Sequence, residues 1–311
     1  MNELNKNLEE LGKQVKLNNQ LSYQILMSNI ISNLHFENSK DKEILLLLLQ
    51  DRDRNYLRIN HNEEIYNNIV KYLKLLRPLD LPLKDLIRIG GKGDGGYVMY
   101  NGGGYLSNFK GVALSLGVSE SSPWDLDIAN MGIKVIEYDG SIERCPYNHE
   151  NIIFHKKYIG KQNDKNTITL EQVIKDNKLE ITQDNILQCD IENCEWDMLE
   201  NIDFNILNKY FSQIIFEFHG CNPEEESGVI LRTKILEKLN QYFVPVHLHL
   251  NNHGKIFYSN QLFFSTTLEV TYLRKSILHL NSFRYRDNGI ILNYDYPIWP
   301  SNPEIPIRFN F

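Results

Sequence analysis

Carboxylates and histidines gather where hydrophobic runs of this chain stop. Asp190 and Glu192 follow Ile186-Leu187-Gln188-Cys189, Glu217 and His219 close Ile214-Ile215-Phe216, and Asp139 follows Val135-Ile136-Glu137-Tyr138. A short apolar run between polar residues reads as a buried strand, and open parallel sheets bind ligands beyond the carboxyl ends of their strands. Glu217 and His219 are two residues apart, so on a strand they share a face. Histidine beside carboxylates can take a proton near neutral pH. His219, Asp190 and Glu217 are therefore the candidate catalytic residues, with His219 as base and Asp190 orienting it or its partner. Asp190, Glu192 and Glu217 could alternatively hold a divalent cation through hard oxygen ligands, since three adjacent carboxylates repel one another unless a cation or protons intervene. Further on, His247 and His249 share one strand face but lack the partners of a tetrahedral metal site. Glu192, His249, Asn251 and His253 read instead as substrate-binding candidates.

A second pattern concerns a ligand. Val112-Ala113-Leu114-Ser115-Leu116 runs into a turn at Gly117, and Asp139 lies about 20 residues beyond, the distance at which nucleotide-binding α/β units place the acid that grips a ribose. The turn Gly117-Val118-Ser119-Glu120-Ser121-Ser122 has one glycine and an internal acid. A dinucleotide pyrophosphate needs a glycine-rich turn at a helix start, and Glu120 repels phosphate. These residues favour S-adenosylmethionine, which has a ribose and an amino group but no phosphate, over NAD. Gly117, Ser119, Glu120 and Asp139 are the candidate cofactor residues. A formal G-x-G-x-x-G, Gly91 to Gly96, lies between two strand-like runs and reads as a hairpin or covering loop. Asp94 and Gly96 join the cofactor candidates from that loop.

These residues need an α/β scaffold. Strand signals fall at Val112–Leu116, Val135–Tyr138, Ile152–Lys157, Ile186–Cys189, Ile214–Phe218, Val244–Leu250 and Leu268–Tyr272. Helix signals fall at Pro123–Met131, Thr169–Asp176, Cys194–Leu199 and Gly228–Asn240, an alternation expected of a mostly parallel seven-stranded sheet with helices on both faces. Residues 1–76 read as a helical extension: either helices covering one face of the following domain, or an oligomerisation arm or lid. Its heptad run Leu4, Leu8, Leu11, Val15 breaks at Asn18 and Asn19. Residues 77–311 form the remaining domain, ending in a Pro- and aromatic-rich surface strap.

The net charge of −7 over 311 residues argues against a general nucleic-acid partner. The four cysteines show no C-x-x-C pair and no disulfide-dense pattern, as expected in a reducing cytosol. The polar N-terminus lacks a signal-like apolar region, and the longest apolar run is too short to span a bilayer. The expectation is a cytoplasmic homo-oligomer with a small-molecule substrate.

The segment from Thr169 to Ile174, the run Asp190-Ile191-Glu192-Asn193-Cys194-Glu195, and Glu217-Phe218-His219 together resemble the FkbM-type methyltransferases. Asp94-Gly95-Gly96-Tyr97-Val98 and Leu268 to Tyr272 look like a related branch, and the resemblance covers roughly residues 86 to 275. It implies the Rossmann-like class I methyltransferase fold, S-adenosylmethionine as donor, and O-methylation of a sugar or sugar nucleotide, as for a capsular or other surface polysaccharide. Two departures stand out: Cys189 replaces the usual Lys before the Asp, and Asn193 replaces the usual Gly after the Glu. The alternatives are an NAD-linked oxidoreductase, weakened by the absence of any Tyr-x-x-x-Lys, and a non-catalytic assembly subunit.

Overall fold

In the computed structural model, which describes residues 2–50, 56–181, 184–278 and 284–311, alternate positions of the central strands feed two separate cores. Ala113, Val135, Ile186 and Ile215 pack with Trp124 and Ile128 on one face. Leu114, Ile136, Leu187, Ile214 and Phe216 join a larger core on the other. Strand side chains alternate faces, so a sheet covered on both sides needs strands that are apolar nearly throughout.

Among the described residues the chain opens with α1 (Asn2–Asn33), α2 (Ser39–Gln50), β1 (Leu57–Ile59) and α3 (Glu63–Leu76). A hairpin of β2 (Leu86–Ile89) and β3 (Tyr97–Tyr100) follows, then β4 (Val112–Leu116), α4 (Pro123–Asn130), β5 (Lys134–Tyr138) and β6 (Ile152–His155). Next come the short β7 (Tyr158–Ile159) and β8 (Thr167–Ile168), α5 (Leu170–Asp176), β9 (Asn185–Cys189), α6 (Glu195–Asn201) and α7 (Phe204–Tyr210). The chain continues through β10 (Phe211–Phe218), α8 (Glu226–Tyr242), β11 (Phe243–Leu250), β12 (Ile256–Ser259), β13 (Leu262–Ser265) and β14 (Leu268–Arg274). Local chemistry sets several starts. Pro123 opens α4 behind Ser122, where its missing N–H costs nothing. The Thr169 hydroxyl accepts from Gln172 N at 3.3 Å to cap α5, a contact of the kind worth about 1 kcal/mol.

The main sheet has seven strands in the order β11-β14-β10-β9-β4-β5-β6. Only β14 runs against its neighbours. From β4 the chain moves outward through β5 to β6, then returns to place β9 on the other side of β4. That reversal puts a crevice beyond the carboxyl ends of β4 and β9. The strands read from sequence are the seven of this sheet, with ends differing by a few residues.

Asn18 and Asn19 interrupt the heptad pattern but not α1, because an asparagine inside a helix costs only tenths of a kcal/mol. The described part of residues 1–76 packs against the following domain, with Met1 and 51–55 outside the described residues. Ile31, Leu45, Tyr72, Leu73 and Leu76 sit in the same core as Leu114 and Phe216, and β1 pairs with β12. Finally, the C-terminal segment is no surface strap: Ile305, Ile307 and Phe309 are buried. No described helix is long and apolar enough to cross a membrane.

Candidate active site

The crevice beside Gly117 is a cavity of about 360 Å³. Gly117 itself has φ +82°, and a Cβ there would lie 1.6 Å from the Asp190 carbonyl oxygen. Only glycine fits where β4 turns this close to the end of β9. The wall includes Ser119 and Glu120 from that turn, Asp139 beyond β5, Asp190 and Glu192 beyond β9, and Asp94 and Tyr97 from the β2–β3 hairpin. Five of the lining residues, Asp94, Glu120, Asp139, Asp190 and Glu192, are acids, and none is Lys or Arg. A larger groove of about 660 Å³ opens near Gly111 and Lys134, at the amino ends of β4 and β5, away from these groups.

Part of the glycine-rich loop lines the cavity beside Gly117. The hairpin is tied down where Gly90 N donates to Asp127 Oδ2 at 2.9 Å and Thr271 Oγ1 donates to Val98 O at 2.6 Å. Asp94 and Gly95 reach the cavity, but Gly96 does not line it. A Cβ on Gly96 would meet Gly91 O at 2.1 Å, so its role is to close the loop.

Asp139 sits where the spacing placed it, with a different task. Its Oδ2 accepts from Val118 N and Ser119 N at 2.9 and 2.8 Å, and its Oδ1 accepts from Ser141 N and Oγ at 2.6 Å each. Burial raises its pKa, but the bonds from Ser141, Ser119 and Val118 outweigh it and hold the carboxylate below its usual range. A carboxylate offers about four acceptor positions, and the loop's own donors take all four. Asp139 thus builds the turn that lines the cavity, and a ribose hydroxyl could bond it only by displacing one of these donors.

On the hairpin face, polar side chains form two rows across the sheet. Glu137, Ser115 and Gln188 are register partners, as are Glu217, Glu269 and His249. At the strand ends, His219 Nε2 lies 3.9 Å from Asp190 Oδ1, 3.8 Å from Glu217 Oε1 and 3.5 Å from Glu192 Oε2. Its other nitrogen, Nδ1, is 3.2 Å from Oε1 of the wholly buried Glu195. Burial pulls His219 down in pKa, but the bond to Glu195 and the charges of Glu195, Asp190 and Glu192 raise it above the ordinary value. Burial, helped by Glu192, Glu195 and Asp94 against the opposing His219, pushes Asp190 up to about 7. Burial, then Asp190 and Glu269, drive Glu217 well above the carboxylate range.

The structure thus brings Asp190, Glu217 and His219 together. Glu192 stands at the rim with its side chain 84% exposed, so the compact trio whose geometry could hold a cation contains His219 in its place. The other substrate candidates move away from that role. His249 is 1% exposed, with Nδ1 2.9 Å from Glu269 and Nε2 2.8 Å from Glu304. Both ring nitrogens are occupied. Asn251 donates to Glu217 Oε1 at 2.9 Å and holds it from behind. His253 is exposed and packs on Trp299 at 5.3 Å.

Sequence reasoning missed Glu195, whose signal was its place in the first turn of a helix just after Glu192. It also missed Tyr97, which follows the Asp94-Gly95-Gly96 run. Asn193, which stands where the resembling family carries glycine, has φ +75°. Asparagine tolerates this left-handed conformation better than most residues, so the departure keeps the turn. No protein-family model and no curated protein matches the chain.

Proposed function

We propose that this chain is an S-adenosylmethionine-dependent methyltransferase with the class I Rossmann-like fold. The observation that carries this reading is the cavity at the reversal between β4 and β9, lined by five acids and no Lys or Arg. A pyrophosphate needs N–H donors and positive charge, and this wall offers the reverse. A sulfonium with an α-amino group carries the positive charge that the wall attracts. The NAD-linked reading loses on that ground. A non-catalytic role leaves the buried, unbalanced carboxylates at the cavity end without a reason.

Methyl transfer is an in-line displacement. An acceptor oxygen attacks the methyl carbon, the carbon–sulfur bond breaks, and S-adenosylhomocysteine leaves. Holding the two reactants in line supplies much of the rate. The Asp190–Glu217–His219 cluster adjoins the cavity and receives the acceptor's proton. That the acceptor is a sugar or sugar-nucleotide hydroxyl rests on the resemblance to FkbM-type enzymes, an analogy of family.

The test is transfer of labelled methyl from S-adenosylmethionine to a panel of sugars and sugar nucleotides. Incorporation should fall about 10²–10⁴-fold in Asp190→Asn while the variant keeps its fold. Incorporation that Asp190→Asn leaves unchanged would put the chemistry elsewhere.

A further inference from the structure

His219 Nε2 faces three carboxylates at 3.5, 3.8 and 3.9 Å, and all three separations exceed a hydrogen bond. A protonated histidine in contact with carboxylates would be expected to close on one of them. Metal bonds of about 2.0–2.4 Å in tetrahedral or octahedral geometry set neighbouring donor atoms roughly 2.8–3.9 Å apart. One donor atom each from Asp190, Glu217 and His219 lies within 4.8 Å of the others.

Glu217 supplies an independent sign. It is 5% exposed, its Oε1 faces His219, and its Oε2 has no hydrogen-bond partner among the described residues. Asp190 Oδ1 is likewise without one. Buried carboxylate oxygens left unpaired are costly unless protons or a cation satisfy them. The neighbourhood adds Glu192 and Glu195 on the α6 side, Asp94 from the hairpin and Glu269 from β14, so balancing charge is scarce. The Nδ1 contact of His219 with buried Glu195 is the arrangement that fixes the tautomer of a metal-bound imidazole and aims its free nitrogen.

We propose that Asp190, Glu217 and His219 form a divalent-cation site, with Glu192 at its rim. Two carboxylates and one imidazole suit Mn²⁺ better than Ca²⁺, which prefers oxygen alone. In the methyl-transfer reading, on which only this consequence rests, the cation polarises the acceptor hydroxyl. His219 then serves as a ligand and Glu195 as its positioning residue.

The experiment is Mn²⁺ titration of the chelator-treated full chain, followed by electron paramagnetic resonance, with S-adenosylhomocysteine affinity measured on the same samples. One tight site per chain is expected, showing nitrogen coupling from an imidazole. Asp190→Asn and Glu217→Gln should lose the site. Glu195→Gln should weaken it by about 10–100-fold, the range for losing such a partner. Mn²⁺ binding no tighter in the wild type than in Asp190→Asn/Glu217→Gln would overturn the proposal. So would bound Mn²⁺ without nitrogen coupling, a readout that decides the matter even if the variants fail to fold. Tight Mn²⁺ binding without S-adenosylhomocysteine binding keeps the site and removes the methyl-transfer reading. The reverse result removes the site alone.

Discussion

At the scale of single residues, the acids divide by what surrounds them. Asp139 is surrounded by donors that hold its carboxylate below the usual range, whereas burial and then neighbouring acids raise Asp190 and Glu217. Because Asp139 holds the backbone of the Gly117 turn, Asp139→Ala should act before any ligand arrives. We expect weaker S-adenosylhomocysteine binding, by about 1.5–3 kcal/mol as for bonds to a charged group, together with a lower melting temperature of the ligand-free protein. A loss of affinity with unchanged melting would restore the direct ribose contact. Beneath the cavity, Ser115 Oγ lies 3.0 Å from both Asp125 Oδ2 and Gln188 Oε1. One hydroxyl proton cannot serve two acceptors, but both contacts are met when Asp125 is protonated and donates to Ser115. Burial, then the charge of Glu137, holds Asp125 well above the carboxylate range. A folded pKa above the unfolded value near 3.9 gives stability that is full below that value and lost as pH rises through the folded one. The melting temperature should therefore fall less steeply between about pH 5 and about pH 8 in Asp125→Asn than in the wild type. Equal slopes would mean that Asp125 is ionised in the folded protein.

At the scale of elements, legibility followed the range of the interactions. The seven strands were readable because burial on both faces writes a continuous apolar run into the local sequence. The Gly91–Gly96 hairpin was readable because a turn between two such runs is also local. The Asp190–Glu192 and Glu217–His219 pairs were legible as strand ends, yet their meeting with Glu195 was not, since it depends on how α6 starts against β10. His249 misled for the same reason: its partner Glu304 is 55 residues away. The apolar stripe of residues 63–76 was legible as well, and Tyr72, Leu73 and Leu76 of α3 are 0% exposed, so α3 belongs to the main core. The part of α1 that stands clear is its first half, where Leu4, Leu8, Leu11 and Val15 are 65%, 57%, 57% and 50% exposed. A chain starting at Gln20 should melt close to the full-length protein and bind S-adenosylhomocysteine as well. If that stripe joins copies of the chain, light scattering will show a smaller species, and an unchanged mass would remove the stripe from assembly. Leu73→Ala, by contrast, should cost about 2–5 kcal/mol as a large-to-small change in a packed core.

At the scale of the whole molecule, charge and topology converge on one place. The chain carries a net charge of −7, and acids are concentrated where β4 and β9 part, under a hairpin that crosses the sheet. The C-terminal segment braces the same face of the sheet at its β11 edge, through Asp295 on His247 and Glu304 on His249, both at 2.8 Å. The strand ends are thus held from the hairpin and from the tail, a rigid setting for groups that need accurate placement. On the proposed reading, this acidic crevice takes an adenosyl cofactor without phosphate. Calorimetric titration with S-adenosylhomocysteine beside NAD tests it most directly. One molecule of S-adenosylhomocysteine should bind per chain, with no heat attributable to NAD. Binding of NAD, or of neither compound by the folded protein, would contradict it.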